Sequence, residues 1–230
     1  MKLKLFLFFA ATFICHSNYM EGQGLYFGIN GGYGMSLASQ VILSTTNSTS
    51  TGTNDDFTYK SIKGSYGKGI NFGAVVGYMI NKNIGAELGL NYLTGSTYKG
   101  TNSKLPGSYT VDYTVKGKMI RLIPALRLTT SGEEKLKPFM KLGLVIGLKA
   151  KIISTEIFTE ISTNKVTEKS WDYTDGVALG AAFSTGINYN LNEKLSLFGE
   201  IGIISQSWAP KKNTLTKYTI DGADLLPHLT

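Results

Sequence analysis

Enzymatic chemistry needs side chains that exchange protons near neutral pH, attack carbonyl or phosphoryl centres, or bind metals. Serine, threonine and lysine are plentiful here, but the groups that would activate them or bind a transition metal are scarce, with two histidines, His16 and His228, and one cysteine, Cys15. A serine nucleophile is activated by a base within hydrogen-bond reach, most often histidine. His16 lies in an apolar N-terminal stretch and His228 in a C-terminal tail without alternation, so such a pair forms only if the tail folds back. A transition-metal site takes three or four thiolate, imidazole or carboxylate ligands, and one cysteine with two distant histidines does not supply them. Asp55 and Asp56 adjoin in a polar stretch, where a solvated pair is a better reading than a calcium site. The glycine-rich run from Gly28 to Gly34 opens no helix and so is no phosphate cradle. The expectation is of no catalytic, cofactor-binding or metal-binding residue, and of a protein that is not an enzyme.

What remains is a set of charges in unusual company. Glu87, Arg121, Arg127, Lys141, Lys149 and Glu200 each stand in a segment where alternate residues are apolar, and each falls on the other side of that alternation. A charge enclosed by protein in a membrane needs a counter-charge or water. Glu87, Arg127, Lys141 and Glu200 lie within a few residues of short turns, so they are expected to meet at similar depth. Together they form either an ion path or a salt-bridged plug, and in a narrow eight-stranded barrel the plug is the favoured reading. Arg121 and Lys149 lie further from the turns, where they are expected to face trapped water.

The elements that must position these charges are strands. Gly reaches 27 and Tyr plus Phe 13 and 11, while only 17% of residues are charged; glycine and aromatics are poor helix formers. No later segment approaches eighteen consecutive apolar residues, so a membrane span must be made of strands. Alternation of period two marks seven of them, at residues 24–34, 69–81, 84–92, 120–128, 140–149, 177–189 and 195–206. Pro124 falls inside the fourth and reads as a local bulge, since proline cannot donate to a ladder. Short turns near 81–83, 129–137 and 190–194 interleave with long polar stretches near 35–68, 95–113 and 153–175, read as loops. That asymmetry is typical of outer-membrane barrels. Tyr33, Tyr92, Tyr98, Trp171 and Trp208 near one end and Tyr78, Phe139 and Tyr189 near the other suit two interfacial belts. One side of every strand is Leu, Ile, Val, Phe or Tyr, and the other holds most glycines and the charges. Small residues suit a crowded interior, so the greasy side is expected to face lipid.

The stretches YFGINGGYG, MIRLIPALRL, LKPFMKLGLVIG and LNEKLSLFGEIGI resemble the small OmpA/OmpX-type outer membrane β-barrel proteins, over essentially the whole mature chain. The resemblance implies an all-β, antiparallel up-and-down transmembrane barrel of about eight strands in the outer membrane of a Gram-negative cell. It implies contact with outer-membrane lipid and lipopolysaccharide and passage through the assembly machinery. Lipid A-modifying enzymes are built on the same barrel with a His near a Ser at the outer rim, which the two histidines here do not offer. The family ends on an amphipathic strand with a terminal aromatic, whereas this chain ends Leu-Leu-Pro-His-Leu-Thr. A single-chain barrel takes an even number of strands, so the expectation is that residues from 209 onward form the last extracellular loop and that the final strand is missing. The alternative is that residues 214–220 pair as a poor eighth strand.

Residues 1–22 read as a signal peptide. Lys2 and Lys4 precede an apolar run, LFLFFAATFIC, too short to span a bilayer, with cleavage expected between about 17 and 23. The formal charge of +7 comes from scattered lysines, which argues against nucleic acid. The reading is a monomeric outer-membrane barrel with a structural or surface-interaction role, any ligand being met by the extracellular loops. Its rivals are porin-like passive transport, a soluble lipocalin-like binder and, least favoured, a lipid A-modifying enzyme.

Overall fold

The structure is a computed structural model and describes residues 12–17, 24–36, 40–51, 54–105, 108–130 and 135–228. Its strands are β1 (Thr12–Ser17), β2 (Gly24–Gly34), β3 (Gln40–Thr51), β4 (Asn54–Gly64), β5 (Gly69–Met79), β6 (Ile84–Leu105), β7 (Tyr109–Thr129), β8 (Leu136–Glu160), β9 (Val166–Thr174), β10 (Ala178–Asn190), β11 (Leu195–Trp208), β12 (Lys212–Ile220) and β13 (Ala223–Asp224). All belong to one sheet.

Eight strands pair in the order β1–β2–β5–β6–β7–β8–β10–β11, every neighbour antiparallel. β11 touches β1 through Cys15↔Ser196 and His16↔Leu195 alone. The link between the two ends of this series is therefore short. β1 lies within the residues read as a signal peptide, where no strand was expected.

Two of the turns owe their shape to one device. Asn81 Oδ1 accepts hydrogen bonds from the backbone N–H of Asn83 and Ile84, both at 2.8 Å. Asn192 Oδ1 does the same for Lys194 at 2.9 Å and Leu195 at 2.8 Å. An asparagine that bonds the backbone two and three residues on substitutes for a backbone turn, so N-K-N-I and N-E-K-L each reverse the chain.

The three longest strands, β6, β7 and β8, have 22, 21 and 25 residues. About 9–11 tilted residues suffice to cross a bilayer, and each of these strands has about twice that length. Over the extra length they carry β9 and β12 on one side and the β3–β4 hairpin on the other, with Asn47–Thr49 of β3 running parallel to Ser103–Leu105 of β6. The segments expected to be long loops are in large part this extension of the sheet. Residues 214–220 lie in β12, which pairs with β9 and β13 rather than standing among the eight.

Pro124 is no bulge. The β7–β8 ladder omits Ile123 and Pro124 but resumes in the same register, Leu122↔Ile146 before and Ala125↔Gly143 after. A missing N–H costs one ladder bond and does not by itself insert a residue. The register shift of β7 on β8 comes instead between Ile120 and Arg121.

The alternation sorts by exposure as expected. Leu88 is 44% and Leu144 63% exposed, whereas Glu87 between such residues is 6% exposed. Phe27, Ile29, Phe72, Leu142, Leu179 and Ile203 are all exposed, and Tyr26, Met79, Val145, Ala178, Ser184 and Phe198 are buried. Large apolar side chains exposed along these strands while Glu87, Arg121 and Arg127 are buried is the reverse of a water-soluble protein.

Candidate functional site

The site assembles at the turn end of the eight-strand series, from side chains on β2, β6, β7, β8 and β11. Arg127 and Lys141 are direct cross-strand partners on β7 and β8, an arrangement of like charges that is unfavourable alone. Glu87 of β6 resolves it. Its Oε1 lies 2.6 Å from Arg127 Nη1 and its Oε2 2.9 Å from Lys141 Nζ. Lys141 Nζ also lies 2.8 Å from Glu200 Oε2 on β11. Two carboxylates and two cations thus form one chain of ion pairs with no net charge.

The Tyr26 hydroxyl donates to Glu87 Oε1 at 2.5 Å, and Arg127 Nη1 reaches the same hydroxyl at 3.4 Å. Tyr26 can lie there because Gly77, its partner on β5, has no side chain: a Cβ at that position would collide with the tyrosine ring. The cations also lie over rings. Arg127 Cζ is 4.3 Å from the centroid of Phe139, and Lys141 Nζ is 5.0 Å from Phe139 and 5.5 Å from Phe198. The two phenylalanines meet edge to face, 6.4 Å apart. Charge-assisted hydrogen bonds and aromatic faces together offset much of the cost of removing these ions from water.

The structure therefore brings Glu87, Arg127, Lys141 and Glu200 together and sets Arg121 and Lys149 apart. Arg121 is 3% exposed, higher in the interior, and donates from Nη2 to Asn71 Oδ1 at 2.8 Å. Lys149 is exposed. Because Ile120 pairs with Lys149 and Arg121 with Gly147, Leu148 is an extra residue, and past it Lys149 falls in phase with outward-facing Ile120. Lys149 is thus not an interior charge.

Tyr26, Phe139 and Phe198 escaped the expected site. Tyr26 and Phe198 share the phase of the glycines and charges on their strands, and Phe139 that of Lys141, which is the signal that marks them. Of the aromatics assigned to interfacial belts, Tyr33, Tyr78, Tyr92 and Tyr189 are exposed, while Phe139 is 3% and Tyr98 9% exposed and neither faces outward. Tyr98 instead bonds the backbone of Ser65 through its hydroxyl, accepting at 3.0 Å and donating at 2.9 Å.

Past the bilayer-length part of the strands, Thr46, Phe57, Asn102, Lys104, Tyr109 and Tyr113 line a cleft of about 340 Å³. Burial, and secondarily the charge of Glu156, push the Tyr113 hydroxyl upward. No group of three or more potential metal ligands occurs among the described residues.

An antiparallel sheet that turns its apolar side chains outward and pairs its charges inside is the construction of an outer-membrane β-barrel protein. The chain belongs to the outer membrane protein beta-barrel domain family, whose model matches residues 6–220. No curated protein matches it.

Proposed function

We propose that the chain crosses the outer membrane as an up-and-down β-barrel of about eight strands, its lumen plugged by the Glu87–Arg127–Lys141–Glu200 network. Its role is structural or one of surface interaction, exercised through the sheet that stands outside the bilayer. The observation that carries this reading is the inverted polarity. A bilayer offers no hydrogen bonds, so spanning strands must pair their backbones with one another and give their greasy faces to the acyl chains. Lipid and lipopolysaccharide are the partners this surface meets, and the barrel assembly machinery its route there.

Residues 1–22 serve as the export signal in this reading. Cleavage between about 17 and 23 removes β1 and leaves the facing edges of β2 and β11 to another strand. Mass determination of the mature N-terminus tests that point.

Nitroxide labels test the placement. At Leu88 and Leu144 they are expected to be relaxed strongly by oxygen, which concentrates in lipid, and weakly by a water-soluble nickel chelate; at Thr155 on the upper part of β8 the order reverses. Labels at Leu88 and Leu144 that are shielded from oxygen would overturn the orientation. For the plug, planar-bilayer recording is expected to show no sustained conductance. Steady channels would favour passive transport instead.

A further inference from the structure

Above the neutral network, the interior holds a cation with no such balance. Arg121 is almost fully buried, and no carboxylate among the described residues lies within ion-pair distance of it. Among the described residues its one side-chain partner is the neutral amide of Asn71, and its Nε is a buried donor without an acceptor. Its cross-strand neighbours are Asn91 on β6 and Gly147 on β8. Gln206 of β11 reaches over Gly147 from the other side: its Nε2 lies 3.3 Å from the place a Cβ of Gly147 would take, and it too is a buried donor without an acceptor. A guanidinium enclosed in low dielectric without counter-charge is strongly disfavoured.

Along β7, Arg121 lies between two packed regions. The ionic network lies on the turn side. On the loop side the turn after β4 is held by the two hydrogen bonds of Ser65 to Tyr98 and by Ser96 N–H to Lys68 O at 2.7 Å. Tyr66 of that turn rests against Gly117, where a Cβ would approach it to 3.4 Å.

We infer that the buried surroundings of Arg121 form an anion site, in which Arg121 and Gln206 hold a small monovalent inorganic ion of halide size. The inference rests on the barrel reading above. Two buried donor atoms without acceptors, on strands that meet near Met119, suit a weakly hydrated ion without directional acceptors. A phosphate dianion carries more negative charge than the single guanidinium neutralises. The ion neutralises Arg121 as Glu87 and Glu200 neutralise Arg127 and Lys141, and the burial of Arg121 makes it a resident ion rather than a permeating one.

The full chain, refolded into detergent micelles in bromide or in gluconate at equal pH and ionic strength, tests this by thermal unfolding. The midpoint is expected to be about 3–6 °C higher in bromide at tenfold excess over the dissociation constant, and the difference should vanish in Arg121→Met. Crystals grown in bromide should show an anomalous peak beside Arg121. Equal midpoints of the unsubstituted chain in the two salts, an undiminished bromide effect in Arg121→Met, or an anomalous map without that peak overturns the site. Should Arg121→Met fail to fold, Gln206→Leu takes its place and must reduce the bromide shift, an unreduced shift counting against the site. A nitroxide at Leu88 in the same preparation separates the two readings. If it is oxygen-accessible, a missing bromide effect overturns the anion site alone; if it is shielded, barrel and anion site fall together.

Discussion

Over residues 136–148, β8 sets Met140, Leu142, Leu144 and Leu148 outward and exposed, and encloses Phe139, Gly143 and Val145. Over residues 150–160 the same strand is half-buried on both faces, and its charged residues are Lys151, Glu156 and Glu160. The β7–β8 ladder continues through both parts with a single shift in register. Backbone pairing is thus indifferent to whether lipid or water lies outside, and the side chains carry the difference. In the lower part a charge is tolerated inside and tied to a buried acid, as Lys141 is to Glu87. In the upper part Lys151, 41% exposed at its side chain, pairs with Asp172 on the neighbouring strand β9.

The largest test of that contrast removes the acid that holds the lower network together. Glu87→Leu leaves Arg127 and Lys141 adjacent, buried and facing one another, which should cost about 3–5 kcal/mol, the usual penalty for breaking a buried pair from one side. Denaturant titration of the protein refolded into lipid vesicles measures it. A loss below about 1 kcal/mol, the range of exposed pairs, would mean that water fills the turn-side interior and the network is no plug.

Next in size is a charge moved to the outside. Leu144→Arg should cost about 2–4 kcal/mol near the middle of the bilayer, while Ile153→Arg on the upper part of β8 should lie within about 0.5 kcal/mol of the parent. The same vesicle titration compares them. Equal costs at the two positions would erase the boundary between the parts of β8.

A steric test follows. Gly77→Ala drives a methyl into the ring of Tyr26, and overpacking of this kind typically costs about 1–3 kcal/mol. The displaced hydroxyl also leaves Glu87, so combining Gly77→Ala with Tyr26→Phe should cost less than the sum of the two changes. Strict additivity in that double-mutant cycle would show that Tyr26 does not link glycine and carboxylate.

How much of this was readable from residues alone follows the same boundary. Where the two faces of a strand meet different surroundings, side chains take a period of two, and the phase of Glu87, Arg127, Lys141 and Glu200 against Leu88, Leu126, Leu142 and Ile201 puts those four charges on one side of their strands from residue types alone. Outside the bilayer both faces meet water or one another, so a stretch such as Ser44-Thr45-Thr46-Asn47 carries no alternation and reads as loop although it pairs as β3. Lys149 was assigned inward because one extra residue at Leu148 reverses every later phase, and a bulge leaves no mark in composition. Phe139 reads as an interfacial ring by its nearness to a turn, although its spacing of two from Lys141 puts it on the same inward face. The pairing of β1 with β2 lies in residues whose apolar run also reads as an export signal, and composition does not separate those two uses.

The smallest effect belongs to the outermost ion pair. Lys217 Nζ of β12 meets Glu168 Oε2 of β9 at 2.6 Å, with side chains 47% and 27% exposed. By distance alone this pair matches that of Arg127 and Glu87. Water screens it, however, and two long side chains lose freedom to hold it, so Glu168→Gln should cost about 0.2–1 kcal/mol, shrinking further as salt is raised. Glu87→Leu should keep most of its cost in the same salt series, because buried and partly buried charges are screened much less than exposed ones. Vesicle unfolding at low and high salt therefore distinguishes equal distances by their surroundings. A Glu168→Gln loss as large and as salt-independent as that of Glu87→Leu would show that the sheet beyond the bilayer packs its charges away from solvent after all.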